Sequence, residues 1–126
     1  MSTTATQRIL LVEDDSLLRH AFRLLLEDAG FEIREAGTAS QAIAEAQGET
    51  PDLILLDLGL PDAPGLHVAR TLRQQQATRD TPIIALTGRV GPEEKAECLE
   101  AGCTSYLTKP IEPKTLVRRL SEFLEE

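Results

Sequence analysis

The stretch DLILLDLGLPDAPG, residues 52–65, decides the fold. Leu53, Ile54, Leu55 and Leu56 run without alternation straight into a carboxylate, Asp57. An unbroken apolar run of this length, ahead of turn residues, reads as a strand buried on both faces. Pro61, Pro64 and Gly65 come only after Asp57, so the charge stands at the carboxyl end of that strand. Such strands belong to parallel sheets covered by helices on each side, and the rest of the chain fits that arrangement.

Outward from this stretch, apolar runs and helical patterns alternate five times. The predicted strands are RILLV (8–12), FEIREA (31–36), DLILLD (52–57), PIIALT (82–87) and TSYLTK (104–109). Between them, residues such as Leu18, Phe22, Leu25 and Ala29 recur at helical spacing, as do Ala39, Ala42, Ile43 and Ala46. Leu66, Ala69 and Leu72 mark a third helix, Ala96 and Leu99 a fourth, and Leu116 and Leu120 a fifth. Gly30, Gly48 and Gly102 stand where helix C-caps are expected, and Asp15 where the first helix needs an N-cap. Strands 1, 3 and 4 are continuously apolar and belong in the centre. Strand 2 alternates apolar and charged residues, and strand 5 contains Thr104, Ser105 and Thr108, so both belong at edges. The order 2-1-3-4-5 satisfies this. The expected fold is α/β, a doubly wound (βα)5 unit with a five-stranded parallel sheet of flavodoxin-like order.

The chain has 126 residues, enough for one core. Residues 1–7 read as a disordered lead-in and residues 8–126 as the domain. With 13 Lys and Arg against 21 Asp and Glu, the net charge is −8, which argues against nucleic acid and against an anionic membrane surface. No apolar run approaches the roughly 18 residues of a membrane span, and MSTTATQR lacks the apolar core of a signal peptide, so a cytoplasmic protein is expected. Cys98 and Cys103 read as reduced thiols, and His20 and His67 as surface residues.

Sites in such a sheet lie beyond the carboxyl ends of the strands. Strand 1 ends in Glu13 and Asp14, strand 3 in Asp57, strand 4 in Thr87 and strand 5 in Lys109; strand 2 ends in Ala36 and Gly37. The four contributing strands are neighbours. Three gathered carboxylates repel, at roughly 4 kcal/mol per pair for about 4 Å separation and an effective dielectric near 20. A hard divalent cation such as Mg²⁺ would relieve that cost, because every ligand is oxygen. Cation, ammonium and hydroxyl around one free carboxylate suit phosphoryl transfer, with Asp57 as nucleophile and an aspartyl phosphate as product.

LLVEDD, LILLDLGLPDAPG, IIALTG and YLTKP, in this order, resemble the receiver domain of two-component response regulators, from about Arg8 to the end. The resemblance implies that Asp57 accepts the phosphoryl group and that Asp14 binds Mg²⁺ directly. It implies a further ligand from the Gly59 backbone carbonyl, with Glu13 acting through water. Thr87 would be the switch hydroxyl, Tyr106 the switch aromatic and Lys109 the phosphoryl partner, with a cis Lys109-Pro110 bond. The implied partners are a sensor histidine kinase or histidine phosphotransfer protein and a downstream protein target. The domain would signal rather than turn over a substrate, while catalysing its own phosphorylation and dephosphorylation. Phosphorylation would reshape the surface of helix 4, strand 5 and helix 5. Thr104 and Ser105 stand where many DNA-binding relatives carry acidic residues for dimer salt bridges, so a monomer or weak dimer is expected.

The sequence shows no helix-turn-helix after the fifth helix, which favours a stand-alone receiver with protein–protein output. A receiver segment of a hybrid sensor kinase or longer regulator is the alternative. A Mg²⁺-dependent phosphohydrolase would carry a second acid two residues after the nucleophile, where Gly59 stands. A flavodoxin-like cofactor binder would not place acids in the loop after strand 1. Arg89, two residues after Thr87, is a bulky cation expected to alter the lifetime of the phosphoryl group.

Overall fold

A computed structural model describes residues 6–89 and 91–124. Five strands, β1 (Arg8–Val12), β2 (Glu32–Ala36), β3 (Leu53–Asp57), β4 (Ile83–Thr87) and β5 (Ser105–Thr108), form one parallel sheet in the order β2-β1-β3-β4-β5. The helices are α1 (Ser16–Asp28), α2 (Ala39–Gly48), α3 (Gly65–Gln74), α4 (Pro92–Glu100) and α5 (Pro113–Leu124), with a 3-10 turn at Gln76–Thr78.

Period-two alternation along each strand sorts its residues between two cores. Ile9, Leu11, Leu53, Leu55, Ile84 and Leu86 pack on one face with Phe22 and Leu26 of α1 and Leu116 and Leu120 of α5. Leu10, Val12, Ile54, Leu56, Ile83 and Ala85 pack on the other with α2, α3 and α4. On that side α2 offers only Ala39, Ala42 and Ala46 as buried residues, so it lies close to the sheet. Both faces of β1, β3 and β4 are thus dry, which is why those strands read as unbroken apolar runs.

Edge strand β2 is handled differently. Glu35 pairs with Arg19 and Arg23 of α1, and Arg34 with Glu45 of α2 and with Glu49 just past its end. These guanidinium groups draw the Glu35 carboxyl below its usual range although burial pushes it the other way. Exposed pairs of this kind contribute little each, roughly 0–1 kcal/mol, and their larger effect is to keep the edge charged against further strand pairing.

Asp15 is the N-cap of α1: its carboxylate accepts from the Leu17 and Leu18 amides at 3.0 and 3.2 Å. Gly30 and Gly102 follow helix ends with φ of 103° and 105°, as the C-cap reading requires. Gly48 departs from that reading. It is the last residue of α2 and Glu49 is its C-cap in extended backbone, so the helix leaves directly into the next connection. Several strands are a residue shorter than their apolar runs. Pro82, for example, has no N–H to donate, and only its carbonyl joins the ladder, accepting from the Ile54 amide at 2.9 Å.

Residues 1–5 of the expected lead-in lie outside the described residues. Gln7 makes two ties: its carbonyl accepts from the Glu32 amide at 2.9 Å, and its side-chain amide donates to the Leu124 carbonyl at 3.0 Å.

Candidate functional site

Because the strands are parallel and in register, their carboxyl ends reach one rim together. Asp57 pairs with Leu86, and Thr87 with Thr108, so Asp57, Thr87 and Lys109 leave adjacent strands at nearly the same height. The Lys109 amide donates to the Thr87 carbonyl at 2.8 Å, extending the ladder to the lysine itself. From β1, Glu13 continues the sheet by donating its amide to the Ala36 carbonyl at 3.0 Å. Arg19 holds this corner from α1, donating to the Glu13 carbonyl at 2.7 Å and to the Glu35 carboxylate.

Carboxylate oxygens of Glu13, Asp14 and Asp57 lie within 4.8 Å of one another. Glu13 and Asp57 are buried, whereas Asp14 is exposed. The Lys109 ammonium is 3.0 Å from Asp57 Oδ1 and 3.6 Å from Glu13 Oε1. Burial disfavours that ammonium, yet Asp57 and Glu13 together keep its pKa above the ordinary lysine range. Asp57 Oδ1 also accepts from the Gly59 amide at 3.3 Å. The Thr87 hydroxyl oxygen accepts from the Arg89 amide at 3.0 Å, which leaves its proton free to donate. Thr87 is buried.

Glu13 is the anomalous member. It is 1% exposed, and its pKa is pushed up to about 7, first by burial and then by the charge of Asp57. Oε2 accepts from the Asp15 amide at 3.2 Å, while the buried Oε1 has no hydrogen-bond partner among the described residues. The nearest cation to Oε1 is the Lys109 ammonium at 3.6 Å, which also serves Asp57, so three carboxylates share one positive charge and a further cation would relieve them. The all-oxygen donor set fits a hard divalent ion such as Mg²⁺.

The cleft over this rim has a volume of about 730 Å³, and its lining includes the apolar Leu58 and Leu66 and the Cys98 thiol. A Cβ at Gly88 would meet nothing within 4 Å, and one at Gly59 only Asp57 Oδ1 at 4.0 Å, so neither position packs a side chain against the buried carboxylate.

A family model described as the response regulator receiver domain matches residues 9–121. The chain belongs to the response regulator receiver family. Among curated relatives, the phosphate regulon transcriptional regulatory protein PhoB of Pseudomonas aeruginosa is 42% identical over 116 residues, 92% of this chain and 51% of that protein. The transcriptional regulatory protein PhoP of Escherichia coli is 36% identical over 117 residues, 93% of this chain and 52% of that protein. The chain therefore spans about half the length of these relatives. Among solved structures, chemotaxis protein CheY4 of Vibrio cholerae superposes with a TM-score of 0.90 at 34% identity, covering 94% of this chain and 98% of that one. The receiver domain of a sensor histidine kinase from Pseudomonas aeruginosa, with magnesium ion coordinated in its active site cleft, gives 0.88 at 34% identity, covering 97% and 100%.

In this receiver domain every side chain singled out from the sequence for the rim, Glu13, Asp14, Asp57, Thr87 and Lys109, lines the one cleft. The Lys109-Pro110 bond is cis. Tyr106 stands apart, half-buried beside Lys95, Leu99 and Arg119 in a second groove over β5. His20 and His67 are exposed, and Cys98 and Cys103 are buried free thiols. Sequence reasoning missed Arg19, whose support of the Glu13 carbonyl comes from a helix position that looks like any surface arginine. No helix among the described residues is long and apolar enough to cross a membrane.

Proposed function

We propose that this receiver is the phosphoacceptor of a two-component or phosphorelay system, taking a phosphoryl group from a histidine kinase or histidine phosphotransfer protein onto Asp57. The observation that carries the reading is the convergence of Asp57, two further carboxylates, Lys109 and Thr87 on one rim. An Asp57 carboxylate oxygen forms the new O–P bond as the P–N bond to the donor imidazole breaks, and the bonding electrons stay on the imidazole nitrogen. Lys109, already 3.0 Å from Asp57, neutralises charge on the phosphoryl oxygens. Mg²⁺ held by Asp14, Asp57 and the Gly59 carbonyl, with Glu13 acting through water, would supply further positive charge to the same oxygens. Water attack on the aspartyl phosphate returns the free carboxylate, so the domain catalyses its own resetting.

The added charge of about −1.5 to −2 gives the Thr87 hydroxyl a new acceptor. Thr87 moving inward draws the loop toward the site, and Tyr106 follows, reshaping the surface of α4, β5 and α5. Shifting a switch from 1:99 to 99:1 takes about 5.5 kcal/mol, within reach of a few charge-assisted hydrogen bonds. A downstream protein reads that surface when the receiver acts alone. The doubled length of the curated relatives favours a second reading, in which this receiver is one unit of a longer regulator or hybrid kinase.

Incubation with a small-molecule acyl phosphate, with and without Mg²⁺, tests the proposal. Intact mass should rise by one phosphoryl group only with Mg²⁺, and Asp57→Asn should abolish the rise. A persistent rise in Asp57→Asn would defeat the assignment, and sustained turnover of a phosphate ester would favour a phosphohydrolase instead.

A further inference from the structure

Resting on the reading of the rim as a Mg²⁺-dependent phosphoacceptor site, we propose that Asp62 is a positioning residue. By clasping the β3–α3 loop to the first turn of α2, it holds the Gly59 backbone carbonyl where the metal binds. The loop, residues 58–64, follows the phosphoacceptor and is fixed at its base. The Gly65 amide donates to the Leu58 carbonyl at 3.0 Å. A Cβ on Gly65 would lie 2.5 Å from Leu58 Cα and 2.9 Å from the Asp57 carbonyl oxygen, so the backbone closes on itself where only glycine fits.

The tip of the loop is held from outside. Asp62 is exposed, yet its carboxylate accepts from the Ala39 amide at 2.7 Å, the Ser40 amide at 3.1 Å and the Ser40 hydroxyl at 3.1 Å. Thr38, the N-cap of α2, serves only the Gln41 amide, at 3.1 Å. The first turn of α2 is therefore capped jointly, one amide by its own threonine and two by a residue more than twenty positions later in the chain. These amides, Ala39 first, hold the Asp62 carboxyl below its usual range. Among the described residues, Asp62 is the only loop side chain hydrogen-bonded to another element. Gly59 lies between the two anchors; it has no side chain to pack, its amide donates to Asp57 Oδ1 at 3.3 Å, and the flanking Leu58 and Leu60 rest partly buried against the core. Freed at the tip, the loop would sample carbonyl directions that do not face the acids, and ordering it again would weaken metal binding.

The experiment compares Asp62→Ala, Asp62→Asn and Thr38→Ala in the full chain. Mg²⁺ affinity is read by calorimetric titration and stability by urea unfolding. Both alanine variants uncap α2, so both should lower the urea midpoint. Only Asp62→Ala should weaken Mg²⁺ binding, by about tenfold. Asp62→Asn keeps one acceptor oxygen and should recover part of that loss, which a purely electrostatic effect of removing the charge would not. Unchanged Mg²⁺ affinity in Asp62→Ala would overturn the inference. So would an equal loss in Thr38→Ala, or an Asp62→Asn value no better than alanine. Wild-type protein that binds no Mg²⁺ would defeat the reading of the site itself and this inference with it.

Discussion

Glu13 concentrates the electrostatic problem of the rim in one side chain. Its carboxyl is pushed from an ordinary value near 4.5 up to about 7, so without metal the folded state holds a proton that the unfolded chain releases. Stability of the metal-free protein should therefore fall as pH rises from about 4.5 to about 7, and Mg²⁺ must displace that proton. Mg²⁺ affinity should climb toward pH 7, by at most about tenfold per pH unit, then level off, and Glu13→Gln should flatten the profile. The same substitution should raise metal-free stability at pH 8 by on the order of 1–2 kcal/mol, measured by urea unfolding, because it removes a buried charge whose one nearby cation, Lys109, is shared with Asp57. Arg89, exposed beside Thr87, should govern dephosphorylation, and equal rates for wild type and Arg89→Ala would remove that idea. The rim acids, Thr87 and Lys109 were readable from sequence because each stands at or next to the carboxyl end of a predicted strand. Asp62, Arg19 and Arg73 were not. Their partners lie outside their own element, some only five or six positions along the chain, and polar residues in loops and on helix faces carry no pattern of their own.

At the level of elements, Arg73 shows how distant pieces are tied. From the end of α3 its guanidinium donates to the Gly102 carbonyl at 2.8 Å, the Thr78 carbonyl at 2.9 Å and the Arg79 carbonyl at 3.2 Å, and reaches Thr104 Oγ1 at 3.4 Å. It closes the 3-10 turn and the α4–β5 connection together. Arg73→Ala should cost about 2–4 kcal/mol in urea unfolding, and Arg73→Lys should restore little, since an ammonium cannot fork to several carbonyls. The 3-10 turn itself, in the polar run QQQAT, offers no periodicity to a reader of the sequence, and its Thr78 hydroxyl is satisfied by the Leu72 carbonyl at 2.6 Å. The strands, by contrast, were readable almost to the residue, because burial on both faces leaves no alternative to unbroken apolar runs. Their ends differ by about a residue, although Asp52, Thr104 and Lys109 still donate a backbone bond to the neighbouring strand.

Over the whole molecule, the sheet separates two cores that share strands but not side chains. Leu26 beneath α1 and Leu72 beneath α3 are both fully buried on opposite faces. Each truncation to alanine should cost about 2–5 kcal/mol, and the double variant should lose close to the sum, since no packing partner is common to both. The hydrogen bond from Gln7 to Leu124 has a topological consequence. It brings the start of the first strand and the end of the last helix together at the amino-terminal end of the strands, remote from the acids. A short linker could join them, and new ends could be opened in the exposed Gly48–Thr50 connection, which lies on that same remote side. Such a circular permutant would keep every strand end of the rim in place, so the chemistry should survive a rewired chain.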